Sequence, residues 1–174
     1  RMTWLEERYV QEKVDGVDHY ERLRQIPAIT GKYLALTLAC ASEGTLLEIG
    51  ASGGYSGLWQ SLALIGTDRK LITLELNPRK VAMARESFEL AGVADRVEVV
   101  ECDAVEKLDD YVDIAWCFLD TEKDLYQACY DKVVPKMVPG GLLVCDNCVS
   151  HATDLADFIA GAEADDRVDA LVVP

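Results

Sequence analysis

The stretch Thr45-Leu46-Leu47-Glu48-Ile49-Gly50-Ala51-Ser52-Gly53-Gly54-Tyr55-Ser56 sets the architecture of this chain. Its first five residues are mostly apolar, as a strand covered on both faces requires. Glycines at 50, 53 and 54 then let the backbone turn sharply and approach a ligand with no side chain between. A plain strand-to-helix turn needs one glycine, or two; three so close together favour a ligand. The pattern predicts a helix over residues 55–65.

Outward from this turn the chain alternates. Strands are expected at 71–75, 96–101, 113–119 and 142–145, with a last one at 168–173. Between them helices are expected from Pro78 to about 91, at 124–134 and at 152–160, and Asn77 is well placed to cap the first of these. Pro139-Gly140-Gly141 reads as the turn into the 142–145 strand. Upstream, residues 3–25 and 31–41 carry helical patterns. Strands alternating with helices, most of them apolar throughout, predict an α/β fold with a doubly wound, mostly parallel sheet. No linker divides residues 1–174, so a single domain is expected. Residues 1–27 would form a helical lid or dimerisation segment, with Trp4, Tyr9 and Tyr20 over the site or packed on the sheet or a second subunit.

Ligands of such sheets sit beyond the carboxyl ends of the strands, so the residues there matter most. Ser52 stands where a G-x-G-x-x-G fingerprint would need its second glycine, which argues against a dinucleotide. Glu75 ends the second strand, where a carboxylate can accept hydrogen bonds from a ribose diol, and Asp103 follows the third, where an adenine edge would lie. With Glu48 they form an acidic rim that suits a ligand bearing ammonium and sulfonium charge. S-adenosylmethionine is favoured over a nicotinamide cofactor. Asp120 ends the fourth strand and Asp146-Asn147 the fifth. If these strands are neighbours, two carboxylates and an amide oxygen converge as hard ligands for a divalent cation, Mg²⁺ first, with Mn²⁺ or Ca²⁺ sharing the same oxygens. A single Asp after a strand is as often a helix cap.

Composition narrows the partners. The 174 residues carry a net charge of −14, from 31 acidic against 17 basic side chains. Such a surface repels phosphate backbones and anionic membranes, which disfavours nucleic acid and favours a small-molecule hydroxyl acceptor. No apolar run approaches a membrane span, and the charged start argues against a signal peptide, so a cytoplasmic protein is expected. The six cysteines, Cys145-x-x-Cys148 included, read as free thiols. His151 reads as a surface residue at a helix start.

The segments Leu46-Leu47-Glu48-Ile49-Gly50, Gly54-Tyr55-Ser56, Leu71-Ile72-Thr73-Leu74-Glu75, Phe118-Leu119-Asp120 with Lys123, and Leu143-Val144-Cys145-Asp146-Asn147 resemble the cation-dependent O-methyltransferases, a family that includes the catechol and caffeoyl-CoA enzymes. The resemblance runs from about residue 28 to 147. It implies a Rossmann-like methyltransferase fold and a homodimer. Asp120, Asp146 and Asn147 would be the metal ligands and Lys123 the catalytic base. Glu75 would bind the cofactor ribose, Asp103 and Ala104 would border the adenine, and Glu48, Gly50 and Ser56 would line the methionine end. Thr121 and Glu122 depart from the family's usual residues before the lysine, and Cys148-Val149-Ser150-His151 lacks the Trp or Pro that often shapes the acceptor pocket. The family's sheet normally ends in an antiparallel hairpin, of which only the first strand, 168–173, is expected within these residues, the second being absent or truncated. Two rival readings stay open: a tRNA hydroxyuridine O-methyltransferase, and a non-catalytic cofactor-binding protein of the same fold.

Overall fold

The structure, a computed structural model, describes residues 1–173. Five strands, β1 (Thr45–Ile49), β2 (Leu71–Glu75), β3 (Val97–Glu101), β4 (Ile114–Leu119) and β5 (Met137–Cys145), form one parallel sheet in the order β3-β2-β1-β4-β5. The order reverses between β1 and β4, which makes their carboxyl ends the topological switch point. Side chains alternate across each strand. Leu46, Trp116 and Phe118 face α2 (Ala28–Ala39), α3 (Tyr55–Gln60) and α4 (Pro78–Ala91), while Leu47, Ile49 and Cys117 face α6 (Tyr126–Val133) and α7 (Ala156–Glu163). All six of these strand side chains are buried. Phe88 of α4 is 1% exposed beneath the glycine turn, so trimming it to alanine would cost roughly 3–5 kcal/mol.

The expected cap is present: Asn77 accepts hydrogen bonds from the N–H groups of Arg79 and Lys80, with Pro78 in the first turn of α4. Several other expectations need correction. The first helix, α1 (Met2–Val14), stops well before residue 25, where Gly16 adopts φ +67. The chain then folds back because buried Glu12 accepts the backbone N–H of Leu23 at 2.7 Å and pairs with Arg8 and Arg79. The helix after the turn tightens into a 3₁₀ segment, Ser61–Leu64. A short α5 (Ala104–Lys107), not anticipated, follows β3. Pro139-Gly140-Gly141 is a bulge within β5, where the register with β4 jumps from Ile114↔Met137 to Trp116↔Leu142. The expected helix at 152–160 is α7, displaced towards the C-terminus.

Residues 168–173 form no strand. Val168 packs on the core, but 169–173 are exposed. A valine-rich run becomes a strand only when its N–H and C=O groups pair with a neighbouring strand, and here the Val168 N–H turns back to Asp165 O instead. The sheet therefore has five strands where six were expected. Among the described residues no helix is long and apolar enough to cross a membrane.

Candidate active site at the carboxyl edge of the sheet

The glycine turn lies directly against the end of β4. Gly50, at φ +102, would place an added Cβ only 1.9 Å from the Asp120 carbonyl oxygen, so no other residue fits. Gly53 is pressed less tightly by the side chains of the N-terminal segment, where a Cβ would meet Leu23 at 2.9 Å and Leu5 at 3.1 Å. Between these walls runs a narrow cleft, with Leu5, Leu23 and Arg24 on one side and Gly50, Ser56 and Asp120 on the other. The structure thus brings Gly50, Ser56 and Asp120 together along one cleft.

Glu75 braces the turn. One carboxylate oxygen accepts the N–H of Ser52 at 2.8 Å and the other accepts the N–H of Asn77 at 2.9 Å. Asp103 is exposed and caps α5, accepting the N–H of Glu106 at 3.2 Å, with Ala104 as the helix's first residue. Asp103 borders an open groove shared with Cys102, Glu106 and Lys107.

Glu48 lies deeper than expected. Instead of lining the cleft it is 0% exposed, beneath the first turn of α3 and behind Ser56. One oxygen accepts the Gln60 side-chain N–H at 2.7 Å. The hydroxyls of Ser56 and Thr73 lie near enough to favour the ionised form, yet neither completes a hydrogen bond, and Glu48 Oε2 and Thr73 Oγ1 are both buried without a partner. Burial dominates and pushes the Glu48 carboxyl up to about 7, with the Asp120 charge adding to the rise.

Across the switch point, Asp120 and Asp146 each follow directly on neighbouring strands. The Asp120 N–H donates to Ile49 O at 2.9 Å and the Asp146 N–H to Leu119 O at 3.0 Å. Burial and then the Asp146 charge raise the Asp120 carboxyl to about 6, partly offset by Lys123 and Arg24. The Asp120 side chain keeps 22% of its surface exposed, so solvent reaches one edge of it. Asn147 turns the chain at φ +62, a conformation asparagine tolerates better than most residues. Its side-chain nitrogen donates to Ser150 at 3.3 Å, which leaves the amide oxygen available. Among the described residues no three His, Cys, Asp or Glu side chains cluster closely enough to hold a metal. The expected set has only two such groups, its third being an amide.

Lys123 Nζ stands 3.7 Å from Asp120 Oδ1 and donates to Thr121 O at 2.9 Å and the Tyr126 hydroxyl at 3.0 Å. Tyr126 was not anticipated from sequence. Its hydroxyl donates in turn to Asp146 O at 3.1 Å, tying the lysine to the β5 end, and burial pushes its ionisation well beyond the usual range. The only hint was its place three residues after Lys123. Arg24 was also missed. It pairs with Glu122 and so joins the N-terminal segment to the β4 loop. Of the aromatic residues expected over the site or packed on the sheet or a second subunit, Tyr9 packs against the core, Trp4 stacks on Arg1 at 3.7 Å and Tyr20 is exposed. His151 is exposed and pairs with Asp154, and all six cysteines are free thiols.

Residues 6–168 match the O-methyltransferase family across nearly the whole chain. The chain belongs to this family. It is 31% identical over 134 residues to a catechol O-methyltransferase of Mycobacterium tuberculosis, covering 76% of this chain and 60% of that one. A crystal structure of an O-methyltransferase from Klebsiella pneumoniae superposes with a TM-score of 0.76 at 27% identity, covering 93% of this chain and 78% of that one. The SAH-bound Podospora anserina methyltransferase PaMTH1 shares the fold, with a TM-score of 0.81 at 24% identity over 98% of this chain and 82% of that one. The chain spans about 60% of the length of the first curated relatives it matches. In a doubly wound sheet the residues beyond the strand ends are the place to seek the chemistry.

Proposed function

We propose that this chain carries out S-adenosylmethionine-dependent methylation of a hydroxyl oxygen on a catechol-like small molecule, with a divalent cation held by Asp120, Asp146 and the Asn147 amide oxygen. The observation that carries the proposal is the pair of carboxylates on adjacent strand ends, where burial and then the charge of Asp146 raise Asp120 and one lysine lies alongside. Two such groups repel unless a cation lies between them, and their oxygens with an amide oxygen are the donors that Mg²⁺ prefers. The fit to the cofactor rests on separate features. Gly50 and Gly53 line the cleft with no side chain of their own, Glu75 braces the turn that carries them, and Glu48 Oε2 and Ser52 Oγ are buried nearby without partners. A cationic amino-acid end answers the orphaned carboxylate oxygen. The SAH carried by the Podospora relative is compatible with this assignment.

A bound cation would acidify a coordinated hydroxyl and orient a vicinal diol. The protein's own residues do the rest. A neutral lysine amine has two N–H bonds and one lone pair. With the N–H groups directed to Thr121 O and the Tyr126 hydroxyl, the lone pair of Lys123 is left to take the acceptor's proton. Leu5 and Leu23 wall the cleft against water, and the rigid contact of Gly50 with Asp120 fixes the donor and acceptor halves relative to each other, as in-line displacement demands. A cytoplasmic homodimer is part of the same proposal.

Isothermal titration with S-adenosylmethionine, with and without Mg²⁺, followed by a catechol methylation assay, tests it. Binding and Mg²⁺-dependent turnover are expected. Binding with no metal-dependent turnover on any diol would leave a cofactor-binding protein instead, and turnover only on RNA would move the acceptor to a hydroxylated uridine.

A further inference from the structure

Behind the cleft wall lies a buried polar chain that the reaction as described does not use. The Trp116 indole N–H donates to Gln60 Oε1 at 2.9 Å, and Gln60 Nε2 donates to Glu48 Oε1 at 2.7 Å. All three residues are 0% exposed. An indole nitrogen can only donate, so the Gln60 carbonyl must face Trp116 and its NH₂ must face Glu48. The amide therefore cannot flip without setting its carbonyl against the carboxylate and orphaning the indole. Helix α3 supplies Gln60, β4 supplies Trp116 and β1 supplies Glu48, so three elements meeting at the switch point fix one oxygen of one carboxylate.

The other oxygen, Oε2, has no partner. Unpaired buried carboxylate oxygens are rare enough to call for an explanation. The neighbouring groups account for it poorly: Thr73 Oγ1 is itself unpaired, Asp120 only repels, and Cys117 is buried without charge to offer. Of the neighbours of this carboxylate, Ser56 and Asp120 also line the cleft, and of these two only Ser56, whose hydroxyl bears on Glu48, does not repel it. We infer that Gln60, itself oriented by Trp116, is a positioning residue that holds Glu48 with Oε2 reserved for the ammonium group of the cofactor's methionine half. This rests on the cofactor reading above. Gln60 touches no ligand; it acts through Glu48, and its directed N–H keeps the carboxylate in the orientation that a cationic amine can pair with.

The test separates the two halves of the ligand. S-adenosylhomocysteine has the amino-acid end, and methylthioadenosine lacks it. Gln60→Met keeps length and apolar packing but removes the donor. Because a hydrogen bond to a charged group is worth enough to shift affinity by roughly tenfold or more, Gln60→Met is expected to weaken S-adenosylhomocysteine by about that factor and to leave methylthioadenosine within twofold. Trp116→Phe, which only frees the amide to turn, should give a smaller loss with the same selectivity. Independently of any variant, the Trp116 indole ¹H–¹⁵N resonance of the unsubstituted protein should move on adding S-adenosylhomocysteine and stay in place with methylthioadenosine. Equal losses for both ligands, or an indole resonance that answers both alike, would overturn the assignment of Gln60 and leave the cofactor reading standing. Failure of the unsubstituted protein to bind either ligand would remove the cofactor reading, and this one with it.

Discussion

The carboxylates along the strand ends fall into two sets with opposite physics. On the β2 and β3 side, Glu75 and Asp103 arrive already satisfied, accepting backbone N–H groups from Ser52, Asn77 and Glu106. On the β1 and β4 side, Glu48 and Asp120 are crowded by protein, raised to about 7 and about 6, and short of donors. The first set builds the scaffold of the turn and of α5, and any ligand contact there is an addition to an existing structural role. The second set is costly in the empty protein and gains most from a positive partner. Acidic residues that look equivalent in sequence thus divide into those that shape the site and those that demand an occupant.

Four substitutions challenge this division. The largest effect should come from the demanding side. Lys123→Ala and Asp120→Asn are each expected to lower Mg²⁺-dependent turnover by about 10²–10⁴-fold, with S-adenosylhomocysteine affinity within a few-fold of the parent. Turnover unchanged in Lys123→Ala would take the base away from this residue. Next comes Glu48. Its folded carboxyl lies above the ordinary 4.5, so the proton is held more tightly in the folded chain than in the unfolded one. The associated stability is fully present below about pH 4.5 and is lost as pH rises through about 7, a change of about 3 kcal/mol. Glu48→Gln should flatten that segment of a urea-denaturation profile of the ligand-free protein; an identical slope in both proteins would mean that Glu48 is not the uncompensated charge. The smallest effect belongs to the satisfied side. Asp103→Ala should cost about 1 kcal/mol through loss of the α5 cap, and a loss above several kcal/mol would show that Asp103 is more than a cap.

The parts of the molecule legible in sequence were those fixed by neighbours a few residues away. Apolar runs gave all five strands, the acids beyond them gave the rim of the site, and Asn77 with Pro78 announced the start of α4 to the residue. What escaped was set by distant partners. The end of α1 depends on Glu12 meeting the Leu23 N–H and Arg79, the latter 67 positions away. Gln60 and Trp116 are separated by 56 residues and look in sequence like ordinary core and helix positions. Residues 168–173 have the composition of a strand, but composition does not supply the edge that a strand must pair with. Glu48 was expected on the cleft wall because it precedes the glycines; strand alternation turned it inward with Trp116 and Phe118, under α3.

The contact of Gly50 with the Asp120 carbonyl reaches beyond local fit. It welds the loop that would cradle one reactant to the strand end that would hold the other, with no side chain between them to act as a cushion. Variation in the acceptor of the proposed reaction would therefore have to enter through peripheral segments such as 121–122 and 148–151, because the joint at the centre has no slack in which the distance between the two reacting partners could be retuned.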